Sequence, residues 1–62
     1  MTYSLADFAS EQRVELHPAC DLWMRGARYG TIAAVGRTRL TVFIDRLGRC
    51  VKMAPQMIGA IL

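Results

Sequence analysis

The segment from residue 39 to residue 44 constrains the fold of this chain more than any other part of the sequence. Within it, apolar residues take every second position and two other side chains lie between them, in the order Leu40, Thr41, Val42, Phe43 and Ile44. Successive side chains of a β-strand point to opposite faces of a sheet. The alternation therefore predicts a strand over 39–44 that turns one apolar face to a core and leaves Phe43 on the opposite face.

Four further short segments carry the same kind of signal. The predicted strands are Arg13–Leu16, Thr31–Val35, Cys50–Met53 and Gly59–Leu62. In the segment from residue 31, the pair Ala33-Ala34 breaks the alternation and predicts a β-bulge. Pro55 favours a single helical turn over Gln56–Ile58, immediately before the last strand.

Tight turns join the middle strands. Gly36-Arg37 and Asp45–Arg49 predict two hairpins, with Gly48 in the left-handed backbone region that glycine adopts without strain. Asp45, at the start of the second turn, is expected either to cap that turn or to pair with one of its two arginines.

A chain of 62 residues has room for one small domain. No long segment has the 3.6-residue period of a helix, which disfavours a helical bundle. Short strands joined by tight hairpins are typical of a small β-barrel at this length. We therefore predict an all-β fold: a five-stranded barrel over residues 12–62 with a single helical turn before the last strand. Residues 1–11 form either a tail or a short helical turn.

The order of these elements resembles a Src-homology-3-like barrel over residues 13–62. Within that stretch, the spacing Gly26-x-x-x-Gly30-Thr31-Ile32-x-x-Val35 is similar to the core of a KOW motif, a glycine turn and strand found in ribosomal proteins and transcription elongation factors. The run from His17 to Gly30 resembles small uncharacterised phage and prophage proteins. The first resemblance implies the barrel, and the last implies a phage or prophage origin without pointing to an activity.

Basic residues are concentrated in the second part of the chain. The sequence has seven arginines and one lysine and a net charge of +3. Up to residue 24, Arg13 stands against four carboxylates, which is a net charge of −3. From residue 25 onward, seven basic residues stand against Asp45, which is a net charge of +6. A clustered positive field attracts polyanions, and arginine suits bidentate contacts with phosphate, so the pattern predicts nucleic-acid binding. A solvated arginine-rich face is the alternative interpretation.

The predicted nucleic-acid site consists of the basic residues of this second part and one aromatic residue. Its members are Arg25, Arg28, Tyr29, Arg37, Arg39, Arg46, Arg49 and Lys52. Arginines engage phosphates while aromatic faces stack on bases. For Tyr29, base stacking and cover of an open barrel end are equally favoured. Trp23 is expected to pack with Leu22 and to cover the open barrel end, within an apolar connector over residues 19–24, and base stacking is its alternative role.

The sequence offers little material for catalysis or metal binding. His17 is the single histidine and is expected to bond to nearby backbone, and no serine or cysteine is paired with it. Cys20 and Cys50 are too few for a zinc site, and both are expected to be small buried residues. We therefore expect neither a metal nor a cofactor.

One stretch is similar to an enzyme family. Residues 51–55 match the position of the final strand of the type II dihydrofolate reductases, small chains that form a tetramer around one pore. In that family a Gln and a Tyr of this strand bind the ligands, whereas Lys52 and Ala54 stand in their places here. The departure removes the groups that reduction needs, so we predict that the protein is not an enzyme.

Self-association is the alternative function. The tail over residues 57–62 is more apolar than a small monomer needs, and Phe43 faces away from the predicted core. Either surface would make the chain a protein-interaction or assembly module, a homo-oligomer of phage or prophage origin. No apolar run reaches the roughly 18 residues of a membrane span, and no secretory signal pattern is visible, so the expected location is the cytoplasm.

Overall fold

The computed structural model describes residues 3–62. Its strands are β1 Arg13–Leu16, β2 Tyr29–Val35, β3 Leu40–Ile44, β4 Arg49–Met53 and β5 Ile58–Ile61. One short helix, α1 Asp21–Met24, lies between β1 and β2, and 3-10 turns cover Leu5–Asp7 and Pro55–Met57.

The five strands form one antiparallel sheet in the order β4-β3-β2-β1-β5. This arrangement confirms the predicted all-β fold with five strands and a helical turn before the last strand. Within residues 3–62 the sheet does not close into the expected barrel, because β4 and β5 do not pair with each other. The 3-10 turn after β4 carries the chain across to β1, so β5 pairs with β1 and leaves its own outer edge free.

The core lies against one face of the sheet. Leu40, Val42 and Ile44 of β3 are completely buried, together with Val14 of β1. The predicted alternation of inward and outward side chains along β3 is therefore confirmed. Phe43 points to the other face, called the outer face below, where 41% of its surface is exposed.

Local irregularities occur where the sequence predicts them. The register between β2 and β3 shifts between Ile32 and Ala34, which confirms the bulge. Gly48 has φ +66°, which confirms the left-handed position in the turn before β4. Glu11, whose φ of 72° is also left-handed, was not predicted; its N–H bonds to the carbonyl of Ile32 at 2.6 Å.

Two expectations need correction. The connector over residues 19–24 contains the one-turn helix α1, which is too short to leave a periodic signal in the sequence. Leu22 and Trp23 pack partly buried against the core, as expected. Cys20 is buried, but Cys50 is exposed, so the prediction of two buried cysteines is wrong for the second. Cys50 pairs with Phe43 and shares the outer face with it, so strand alternation overrides the usual preference of cysteine for burial.

The segment before β1 is anchored to the sheet. Phe8 is buried in the core cluster, and the N–H of Ile32 in β2 donates a 2.8 Å hydrogen bond to the carbonyl of Gln12. Within the segment, Asp7 of the 3-10 turn accepts a 2.8 Å hydrogen bond from the N–H of Ser4. The first two residues of the predicted segment 1–11 lie outside the described residues. No helix of the described part is long and apolar enough to cross a membrane.

Candidate nucleic-acid interface

The sheet divides the predicted site residues between two ends of β3. Gly30 of β2 pairs with Ile44, whereas Val35 pairs with Leu40 at the opposite end. The turn cluster, beside Ile44, contains Arg25, Arg28, Tyr29, Arg46 and Arg49. The groove cluster, beside Leu40, contains Arg37, Arg39 and Lys52. At about 3.4 Å per residue, the ends of β3 are about 14 Å apart, so the predicted residues form two patches rather than one.

The groove cluster lines a cavity of about 460 Å³ at the β2–β3 hairpin. The lining residues are Ala34, Val35, Gly36, Arg37, Thr38, Arg39, Thr41 and Lys52. They include three cations and no carboxylate. Lys52 pairs with Thr41 in the register, which brings β4 into a groove otherwise built by β2, β3 and their turn.

Gly36 allows the hairpin to be tight enough to form this groove. Its N–H donates a 2.9 Å hydrogen bond to the carbonyl of Arg39, and a Cβ at this position would lie 2.8 Å from that oxygen. The chain therefore turns through only Arg37 and Thr38. As a result, Arg37 and Arg39 stay near each other at the tip, and both are exposed.

The turn cluster surrounds the connector before β2. The guanidinium carbon of Arg28 lies 4.1 Å from the centre of the Trp23 ring, in a cation–π contact. Trp23 itself packs against the core, in line with the structural role predicted for it. Arg46, from the turn before β4, lies over Gly26. A Cβ built on Gly26 would be 3.4 Å from the Nε of Arg46. This cluster therefore uses two of its arginines partly for packing.

The prediction for Asp45, that it caps its turn or pairs with an arginine of that turn, is wrong. Asp45 pairs with Arg13 of β1 at 2.8 Å, and not with an arginine of its own turn. Arg13 reaches across β2 and donates to the Thr31 hydroxyl and to Asp45, each at 3.0 Å. The hydrogen bond from Arg13 lowers the pKa of Asp45, and the same contact raises the pKa of Arg13.

This pair accounts for the charge of Arg13, and none of the predicted site cations has a carboxylate partner among the residues that the structure describes. Within residues 3–62, Arg13–Asp45 is the only ion pair. The other seven basic side chains are all exposed and belong to the predicted site. Seven cations on a small surface without internal neutralisation are available to an anionic partner.

Some groove residues were missing from the predicted site. Thr38 and Thr41 line the groove beside the cations. Phe43, which was predicted only as a surface for self-association, is two residues further along β3 from Thr41 and on the same face. The alternation of β3 already places Thr41 and Phe43 on one face, so this signal was present in the sequence. The position of Thr41 in the same groove as Arg37 depends on the hairpin register.

The residues considered for catalysis have ordinary structural surroundings. The Nδ1 atom of His17 accepts a 3.0 Å hydrogen bond from the N–H of Ala19, which confirms the predicted bond to nearby backbone. In the part of the chain that the structure describes, no three His, Cys, Asp or Glu residues come together as a metal site.

Comparisons of the chain with protein-family models, curated proteins and solved structures found no match. The resemblances to the Src-homology-3-like barrel, the KOW motif and phage proteins stay predictions. The function is therefore inferred from the surface itself.

Proposed function

We propose that this chain is a small, non-enzymatic protein that binds nucleic acid through the phosphate backbone, with the groove cluster as the main contact. The observation that carries the proposal is a groove lined by Arg37, Arg39 and Lys52 without any carboxylate. The cytoplasmic location and the phage or prophage origin belong to the same proposal.

Several physical features favour phosphate as the ligand. Arginine has a planar fork of donors that matches two phosphate oxygens, and lysine adds a point charge. Thr38 and Thr41 supply hydroxyl groups in the same groove. The groove cations form no ion pair within residues 3–62, so a phosphate does not have to displace a carboxylate.

The first test is the salt dependence of binding. Labelled DNA and RNA would be titrated with the protein at several NaCl concentrations and followed by fluorescence anisotropy. If about three phosphates are neutralised, the logarithm of the association constant should fall against the logarithm of salt concentration with a slope of about −2.7 for duplex DNA and about −2.1 for single strands. Absence of binding at low salt, or an association constant that does not change with salt concentration, would show that the proposed function is wrong.

The second test locates the contact with two variants of identical composition. R37E+R39E reverses charge in the groove cluster, and R25E+R49E makes the same change in the turn cluster. Both lower the net charge by four from +3 to −1, so the average field of the molecule is matched. The groove variant should lose more affinity and should reduce the salt slope by about two. Equal losses would mean that only the overall field matters and would remove the groove from the proposal.

A second copy of the chain is the alternative partner, and the edge of β5 favours it. Ile58–Ile61 forms an edge strand without a charged residue, whereas the edge strand β4 carries Arg49 and Lys52. Charges on an edge strand discourage pairing between chains, so β5 is the less protected edge. Sedimentation equilibrium tests this function directly. The variant Ala60→Lys should dissociate a dimer that pairs through β5. If the parent protein stays a monomer at high concentration, self-association is excluded.

A further inference from the structure

Two exposed aromatic residues lie on the outer face of the sheet. Phe43 of β3 is 41% exposed and Tyr29 of β2 is 46% exposed. Thr31 pairs with Phe43, and Tyr29 is two residues before Thr31 on the same strand, so both rings belong to the same face. Exposed apolar side chains that lie together form a patch, and apolar patches on a surface are typical of interaction sites.

The cationic groove opens onto this same face. Thr41 and Lys52 line the groove and form one cross-strand pair, and Phe43 and Cys50 form the outer-face pair next to it. Residues of one face are about 7 Å apart along a strand. The outer face therefore carries a row along the middle of the sheet: the groove comes first, then Phe43, then Tyr29. We call this row the outer strip.

The two ends of the outer strip carry different charged groups. Three cations lie at the groove end. At the Tyr29 end, Asp45 is paired with Arg13 and Glu15 lies opposite Tyr29 in the register. The four arginines of the turn cluster belong to this end too, in the connector before β2 and around the turn before β4. The groove differs from that end because its three cations line one cavity without a carboxylate, which favours a phosphate there, while the exposed rings of Phe43 and Tyr29 favour a flat group beside it.

We propose that the outer strip binds a single-stranded polynucleotide, with a phosphate in the groove and a base stacked on Phe43, followed by Tyr29. This inference rests on the proposed function and narrows it to a substrate class. Every base has a π-face that an exposed aromatic ring can cover, and sheet-borne aromatics flanked by cations bind single strands in this manner. In a duplex the base faces are already stacked on one another and are not offered to the protein.

The same charges argue against a second copy on this face. A two-fold contact places a surface against itself. Two copies that met through their outer strips would bury the groove cations of both in one interface, where each cation would lose its contact with water. The groove lining has no carboxylate to offset that cost, whereas a polynucleotide supplies negative charge.

Substitutions of Phe43 test the stacking contact. The probes are oligo-dT and oligo-U of about 12 nucleotides, within the range that small single-strand sites cover, together with a blunt DNA duplex. Phe43→Leu keeps an apolar side chain but removes the ring, and should weaken single-strand binding roughly 5- to 100-fold. Duplex binding should change little. Phe43→Tyr keeps the ring and should bind like the parent, and Met24→Ala, which removes an exposed apolar side chain from α1, is the matched control.

Cys50 gives a readout that does not require a variant. It is exposed next to Phe43, while the other cysteine, Cys20, is buried. Saturating oligo-dT should slow the alkylation of Cys50 by iodoacetamide, with the modified residue identified by mass spectrometry. A duplex bound to the same extent should protect Cys50 less, because it contacts the groove and does not cover the ring.

The outcomes separate this inference from the function on which it rests. If single strands and duplex bind with the same affinity, and Phe43→Leu affects neither, the stacking contact is wrong while phosphate binding stands. If neither probe binds in a salt-dependent manner, the proposed function fails first. If the protein is a dimer without nucleic acid and Phe43→Leu dissociates it, the outer strip belongs to a second copy and the inference is overturned.

Discussion

Single residues decide how closely the strands approach each other. Gly30 of β2 lies where a Cβ would be 2.7 Å from both the carbonyl oxygen of Phe43 and Cγ1 of Val42. Its φ is not in the left-handed region, so the requirement for glycine is one of space alone. A similar dependence on neighbours governs Asp45, whose partner Arg13 is distant in sequence and reaches it only across β2.

Gly30→Ala should therefore destabilise the protein. The added methyl group forces β2 away from β3 in the packed core, and overpacking of this kind costs about 1–3 kcal/mol. The free energy of unfolding can be measured in urea through the fluorescence of Trp23, the only tryptophan. Unchanged or increased stability would show that the two strands have room to separate and that the close approach is not required.

At the scale of elements, the two hairpins determine which cations meet. The turn between β2 and β3 holds Arg37 and Arg39 at one end of the sheet, and the turn between β3 and β4 holds Arg46 at the other. Gly48 closes the second turn, where its N–H bonds to the carbonyl of Ile44 at 2.9 Å. Nothing lies within 4 Å of a Cβ built on Gly48, so its side of the turn is open.

At position 48 only the positive φ disfavours residues other than glycine. The stability of each variant should therefore depend on how readily its new residue adopts a positive φ. Gly48→Val should lose about 1–2 kcal/mol of stability, while Gly48→Asn should lose less, since asparagine adopts the left-handed region more readily. Thermal unfolding of the two variants provides the comparison. If both variants lost the same stability, the cause would be steric, which would contradict the open space around Gly48. Neither variant should change the affinity for nucleic acid, because the groove is at the other end of β3.

The whole molecule carries its charge unevenly. Its longest dimension is 27 Å, and within residues 3–62 its basic side chains other than Arg13 form no ion pair. At an ionic strength of 0.01 M the Debye length is about 30 Å, so all these cations repel one another across the molecule. At 0.15 M it falls to about 8 Å, and only close neighbours still interact.

The melting temperature should consequently rise by a few degrees when NaCl is increased from 0.01 to 0.15 M. Screening weakens the repulsion among seven cations more than it weakens the single exposed pair, which contributes little to stability. Differential scanning calorimetry in a buffer without phosphate or sulfate measures the effect, since those anions would occupy the groove. R37E+R39E, with a net charge of −1, should lose most of the rise. A melting temperature that falls with salt would mean that attractive pairs dominate.

Local patterns in the sequence determined the elements and the direction of their side chains. Strand alternation is a property of neighbouring residues, so the burial of Leu40, Val42 and Ile44 and the exposure of Phe43 follow directly from it. The left-handed position of Gly48 and the bulge before Ala34 are equally local and were predicted correctly. One-turn α1 was missed because four residues are too few to show a period.

Only the tertiary structure decided what lies beside what. Which cations share a groove, which partner Asp45 takes, and whether the sheet closes all depend on strand order and register. These are relations between segments far apart in the chain, and no short pattern contains them. The sequence thus determined a set of basic residues, and the register divided that set into two clusters. The same register placed Phe43 between the groove cluster and Tyr29 of the turn cluster, because cross-strand neighbours are set by hydrogen-bonded pairing and not by distance along the chain.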